Sequence, residues 1–164
     1  MSRWLTALAL LLPLVGLGAG IARQEAALDG ATRWVIPIEG YDPRDPLRGQ
    51  YLQFGYAWQT QGDAGRCATP AGCVLCLARR DGEVVATVAG PETRCPDRVD
   101  PRLSRIEIRP GFAPDQRPAF TARLFVSEAR APGLEAKLAE GPMAVVARLA
   151  SDGRLIPDRV IPAR

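Results

Sequence analysis

Residues Trp4 to Ala22 (WLTALALLLPLVGLGAGIA) run 19 positions without a charge, and this run constrains everything that follows it. As an α-helix rising 1.5 Å per residue it would be about 28 Å long, close to the thickness of one bilayer core. Such a helix is apolar on every face, unlike the one-sided helices that lie on a globular core. Two readings fit. An uncleaved transmembrane anchor is favoured by the length and by Trp4 at the interface. A secretory signal is allowed by Gly20 and Ala22, which would sit at −3 and −1 of a cut before Arg23. In both, the chain divides into an anchor or signal segment (1–22) and an extracytoplasmic part (23–164). Arg3 is opposed by Arg23 and Arg33, so charge does not set the orientation. The short head does, because everything able to fold follows the run. Cysteine is missing from the end of the run, so a lipid-modified anchor is not supported.

Export predicts that cysteines oxidise, and the cysteine pattern agrees. Cys67, Cys73, Cys76 and Cys95 are even in number and closely spaced, which reads as two disulfides. The rivals are a zinc site of all four thiolates, prompted by the Cys73-Val74-Leu75-Cys76 spacing, and a redox CxxC. Neighbouring strand positions face opposite ways, as do Cys73 and Cys76 three apart, so these two should not bond each other. Cys67 with Cys73 and Cys76 with Cys95, or Cys67 with Cys76 and Cys73 with Cys95, remain.

The exported part is the size of one domain. Its 16 Gly and 15 Pro are scattered through the chain and favour turns and strands over long helices. Asp81-Gly82 separates Cys73–Arg80 from Glu83–Ala89, and Asp152-Gly153 separates Met143–Ala150 from Leu155–Ile161; each is a hairpin signal. Alternation adds strands at Arg105–Arg109 and at Phe120–Val126, where Phe120, Ala122, Leu124 and Val126 share a face. Thr32–Ile38 and Tyr51–Trp58 complete the strands. One short helix is expected over Pro132–Glu140, with Leu134 and Leu138 four apart and Gly141 just past its end. Pro110–Pro118 reads as a loop. The expected fold is therefore mainly β (α+β): an N-terminal transmembrane helix followed by one compact antiparallel β domain with one short helix.

The chain has no histidine, which removes the usual general base, the commonest metal ligand and every Ser-His or Cys-His pair. No metal and no cofactor is expected. A net charge of +3, with basic residues scattered among acids, argues against nucleic acid as a partner. Arginine outnumbers lysine twenty to one, Lys137 being the single lysine. With many Ala, Gly and Pro, this is the codon bias of a GC-rich bacterium.

The most distinctive stretch is Gly40-Tyr41-Asp42-Pro43-Arg44-Asp45-Pro46-Leu47-Arg48-Gly49-Gln50-Tyr51-Leu52-Gln53-Phe54-Gly55-Tyr56. Two Asp-Pro dipeptides start turns, and Arg44 and Arg48 can pair with Asp42 and Asp45 to stiffen the loop. The segment resembles the GDYXXLXY family of bacterial membrane-anchored proteins. Gly49, Tyr51 and Tyr56 match the named positions, Gln50 replaces the family's Asp, and Phe54 its Leu. Arg123–Glu128 and the hairpin containing Asp152-Gly153-Arg154 are similar to the family's C-terminal half. The resemblance covers roughly Gly30–Trp58 and Phe120–Ile161, leaving the cysteine-bearing middle as a variant insertion. It implies an N-terminal anchor and an extracytoplasmic domain, often encoded beside multi-spanning membrane proteins, with no established reaction. The expected location is the inner membrane with the domain in the periplasm, and a multi-spanning membrane protein is the expected partner. Secretion into the periplasm after signal cleavage is the alternative location.

Leu52, Phe54 and Tyr56 should share one face of their strand, with Tyr51 and Gln53 on the other. The expected function is a membrane-anchored extracytoplasmic accessory or binding module of the cell envelope. Its partner would be bound through Asp42, Arg44, Asp45, Arg48 and Tyr51, and no catalytic residue is assigned. The alternatives are an envelope hydrolase, using a Ser127-Lys137 dyad or the Asp42 and Asp45 carboxylates, and a thiol redox protein.

Overall fold

A computed structural model describes the backbone of residues 3–42, 51–109, 118–127, 133–134, 137 and 141–163, with the side chains at 3–8, 24, 27, 40–42 and 51 outside the description. The apolar run forms helix α1 (Arg3–Asp29), 27 residues long with Pro13 inside it. Leu10, Leu11, Leu12, Leu14, Val15, Leu17 and Ile21 are all more than half exposed. Among the described residues no helix is long and apolar enough to cross a membrane. The sequence expectation is thus met as a helix, while the transmembrane span itself is not established by the fold.

Only Gly30 and Ala31 separate α1 from β1 (Thr32–Asp42). The other strands are β2 (Tyr51–Tyr56), β3 (Gln59–Gln61), β4 (Val74–Arg80), β5 (Glu83–Ala89) and β6 (Arg98–Val99). They continue with β7 (Glu107–Arg109), β8 (Ala119–Phe125), β9 (Met143–Leu149) and β10 (Leu155–Pro162). A six-stranded sheet runs in the order β10-β9-β1-β2-β8-β7, and a four-stranded sheet in the order β3-β5-β4-β6. The described part is mainly β, as the sequence predicts.

Both Asp-Gly hairpins form. Asp81 (φ 52°) and Gly82 (φ 85°) both take left-handed backbone, the conformation of a tight turn whose twist matches its flanking strands. The β9–β10 turn places Gly153 at φ 88°. The expected strand at Arg105 starts only at Glu107, because Arg105 is left-handed (φ 54°) and closes the preceding turn. The domain is also not wholly antiparallel: β3 pairs parallel with β5. Parallel neighbours need a crossover connection, and a short 3-10 helix (Ala64–Ala68) with β4 supplies it. β3 and β6 are additions to the expected set. The expected helix at Pro132–Glu140 lies outside the described residues except at 133, 134 and 137, which are helical. Of the Pro110–Pro118 loop only Pro118 is described.

The core joins both sheets. Trp34, Ile36 and Ile38 of β1, Phe54 of β2, Leu75 of β4, Ala86 of β5, Phe120 of β8 and Val145 of β9 belong to one buried cluster. β1 lies inside the larger sheet, which tolerates Pro37 because its carbonyl bonds to Ala57 N (2.8 Å), beyond the last residue of β2. The missing Pro N–H therefore falls past the end of that ladder. On the opposite side, edge strand β10 carries Pro157, Pro162 and a bulge at Pro157–Arg159, features that discourage another chain from pairing there.

Candidate functional site

The motif strand β2 has two different faces. Leu52, Phe54 and Tyr56 are 3%, 0% and 4% exposed, so all three enter the core as the alternation predicts. Tyr56 stacks on Trp58 with centroids 4.4 Å apart and planes 9° apart. Phe54 meets Tyr56 edge-on at 5.3 Å, and Trp58 meets Phe120 at 5.5 Å. Such pairs add to area burial. Burial raises the Tyr56 phenol pKa above its usual value by disfavouring the charged form. Its hydroxyl has no hydrogen-bond partner among the described residues. The second tyrosine of the motif is therefore a core residue.

The first is placed by its backbone alone. Tyr51 opens β2 opposite Phe125 of β8, and Gln53 stands opposite Arg123. Residues directly opposite in an antiparallel pair project to one side. Phe125 is 73% exposed, and Arg123 pairs with Glu107 at 3.0 Å. Asp42, the last residue of β1, pairs with Gln53 after a register shift that begins at Glu39. The loop between β1 and β2 thus leaves and returns beside an exposed aromatic and an ion pair. Of the expected contact residues, Arg44, Asp45 and Arg48 lie outside the described residues, while Asp42 and Tyr51 are placed by backbone only.

The cysteines form two disulfides, Cys67–Cys73 and Cys76–Cys95, with none left free. This selects one of the two pairings left open by the strand geometry and removes the four-thiolate zinc site. The first bond ties the 3-10 helix to the entry of β4; the second ties β4 to the segment before β6. Among the described residues no group of three or more His, Cys, Asp or Glu could hold a metal ion. Ser127 and Lys137 are both exposed, whereas a nucleophilic dyad needs its lysine desolvated.

A second feature was not anticipated from the sequence. Asp100 Oδ1 accepts from the N–H groups of Arg102 (2.9 Å) and Leu103 (3.2 Å), which shapes a turn over Pro101–Arg105. Ser104 Oγ donates to Asp100 O (2.6 Å) and accepts from Leu155 N (2.9 Å), and Asp100 N donates to Gly153 O (2.8 Å). The turn is thereby fixed to the β9–β10 connection. Arg102 donates to Pro70 O at 3.3 Å and rims a cavity of about 120 Å³ walled by Cys67, Cys73, Pro101, Ile106 and Ile108. Asp100-Pro101 is itself a turn-starting dipeptide, a signal present in the sequence.

Comparison with known proteins places this geometry. No curated protein and no solved structure matches the chain. The profile of the GDYXXLXY protein family matches residues 13–160. The matched range includes the cysteine-bearing middle. With the match covering nearly the whole sequence, the chain belongs to the GDYXXLXY family.

Proposed function

We propose that the chain is a membrane-anchored accessory module of the bacterial cell envelope, with α1 in the inner membrane and the disulfide-bonded β domain in the periplasm. The observation that carries this reading is the exposure of Leu10 to Ile21 around α1. An apolar surface of that extent is not left in water by a stable protein. Pro13 supports the same reading. A proline inside a water-exposed helix costs about 3 kcal/mol, whereas helices in lipid tolerate it. The two disulfides match an oxidising compartment.

Within this reading the Asp42–Tyr51 loop is the contact surface for a partner, a multi-spanning membrane protein, through Asp42, Arg44, Asp45, Arg48 and Tyr51. What supports it is the exposed Phe125 opposite Tyr51, since aromatic residues and arginine concentrate in binding hot spots. The test is crosslinking of the native protein in its own membrane, compared with an Arg44→Glu/Arg48→Glu variant. The reading predicts specific adducts that the variant loses while staying folded and membrane-bound. An unchanged adduct pattern would remove the loop from the proposal.

A further inference from the structure

The Pro101–Arg105 turn displays Leu103, 53% exposed, between the exposed arginines Arg102 and Arg105. Its acidic neighbours are engaged: Asp100 caps the turn, and Asp152 holds Arg154 at 2.6 Å. Arg105 makes no ion pair among the described residues. Capping leaves the Asp100 carboxylate charged, so Asp100, Arg102 and Arg105 together carry one net positive charge beside the exposed leucine, a small amphipathic surface.

Its location follows from the hydrogen bonding. Ser104 is bonded to Leu155, Leu155 stands opposite Leu149, and Leu149 stands opposite Thr32. Leu155 therefore lies about two strand spacings, roughly 10 Å, from the first residue of β1, and the turn is one hydrogen-bonded neighbour farther, roughly 15 Å away. Thr32 comes ten residues after Ala22, the end of the apolar run. Residues 23–29 are helical and add about 10 Å along the axis. Gly30 and Ala31 are the whole of the connection. Arg23 and Arg33 bracket Glu25 and Asp29 along this stretch, leaving it close to neutral, while Asp100, Arg102 and Arg105 leave the turn with one net positive charge.

We propose that the Pro101–Arg105 turn rests on the membrane surface, with Leu103 among the headgroups and Arg102 and Arg105 on the phosphates of anionic lipid. This rests on the anchor reading above. Arginine suits the role because its stem covers apolar surface while its guanidinium meets phosphate in a fork. The opposite end of β1, where the motif loop leaves at Asp42, is then about 30 Å farther along the strand. That end is left open to a protein partner.

The test uses the full chain in nanodiscs of phosphatidylcholine alone and of phosphatidylcholine with phosphatidylglycerol, read by amide hydrogen exchange. Exchange in peptides covering 100–106 should slow about fivefold in the anionic discs, the size expected from one net positive charge near an anionic surface. The Asp81-Gly82 turn should not change. Arg102→Gln/Arg105→Gln should abolish the difference, and Leu103→Ser should reduce it. Equal exchange in both discs, or slowing at Asp81-Gly82 instead, would overturn the proposal. Co-flotation with the same lipids separates the two readings: a chain that fails to float overturns anchor and surface contact together. One that floats without slowing overturns the contact alone.

Discussion

Tyr56 stacks face to face on Trp58, 4.4 Å between centroids, and its hydroxyl reaches no partner among the described residues. The motif strand thus contributes an aromatic ladder to the core and leaves one polar atom unpaired within it. Tyr56→Phe keeps the ring and removes the unpaired group, so its unfolding free energy should match the parent or exceed it by about 1 kcal/mol. Tyr56→Ala should cost about 3–5 kcal/mol. Urea denaturation of the detergent-solubilised protein measures both. A loss above about 1 kcal/mol in the phenylalanine variant would show that the hydroxyl is hydrogen-bonded after all.

The same burial makes a prediction in alkali. The Tyr56 phenol keeps its proton in the folded state beyond the usual tyrosine range, whereas in the unfolded chain it ionises near pH 10. Above that pH the native state binds more protons than the unfolded one. Stability therefore falls as pH rises, by about 1.4 kcal/mol per unit from this group, and is unaffected by it below pH 10. Tyr56→Phe should flatten that slope. Identical slopes for parent and variant would contradict the assignment.

Ser104 joins two chain segments far apart in sequence. Replacing it by alanine removes the acceptor for Leu155 N, next to a side chain only 1% exposed. The cost should be about 1–3 kcal/mol, readable as a lower urea midpoint with an unchanged slope. A change under a few tenths would mean that the turn is not fixed as described.

Gly82 and Gly153 both have positive φ, 85° and 88°, but their surroundings differ. A Cβ at Gly82 meets nothing within 4 Å, while one at Gly153 comes within 3.3 Å of Arg98 O and 3.4 Å of Asp100 N. Gly82→Ala should cost about 1 kcal/mol from backbone strain alone. Gly153→Ala should cost about 2 kcal/mol or more, since the backbone it approaches must also shift. Equal thermal shifts would show that close approach has no energetic weight here.

Much of this fold was legible because local chemistry and global structure agree in it. Asp81-Gly82 demanded left-handed backbone and received it; β5 begins and ends at the expected Glu83 and Ala89. The inward set Leu52, Phe54 and Tyr56 was readable from period two alone. β3 was not, because Gln59, Thr60 and Gln61 have no apolar alternation and are held by backbone pairing with β5. The role of Ser104 was hidden by distance, its acceptor bond coming from a residue 51 positions away. The disulfide pairing was narrowed to two possibilities by strand geometry and needed the tertiary structure to choose between them. At the candidate site, the sequence marked Tyr51 as outward by alternation, but the exposed Phe125 opposite it emerged only from the β2–β8 register.

The central claim is that the β domain stands in the periplasm on an uncleaved helical anchor. Protease added to intact spheroplasts, followed by carbonate washing and blotting of the membrane pellet, tests it most directly. The account predicts a full-length chain in the pellet before digestion and loss of the domain, with a short membrane-held fragment, after it. A chain that starts near Arg23 and is recovered in the soluble periplasmic fraction, or a full-length chain protected from protease, would contradict it.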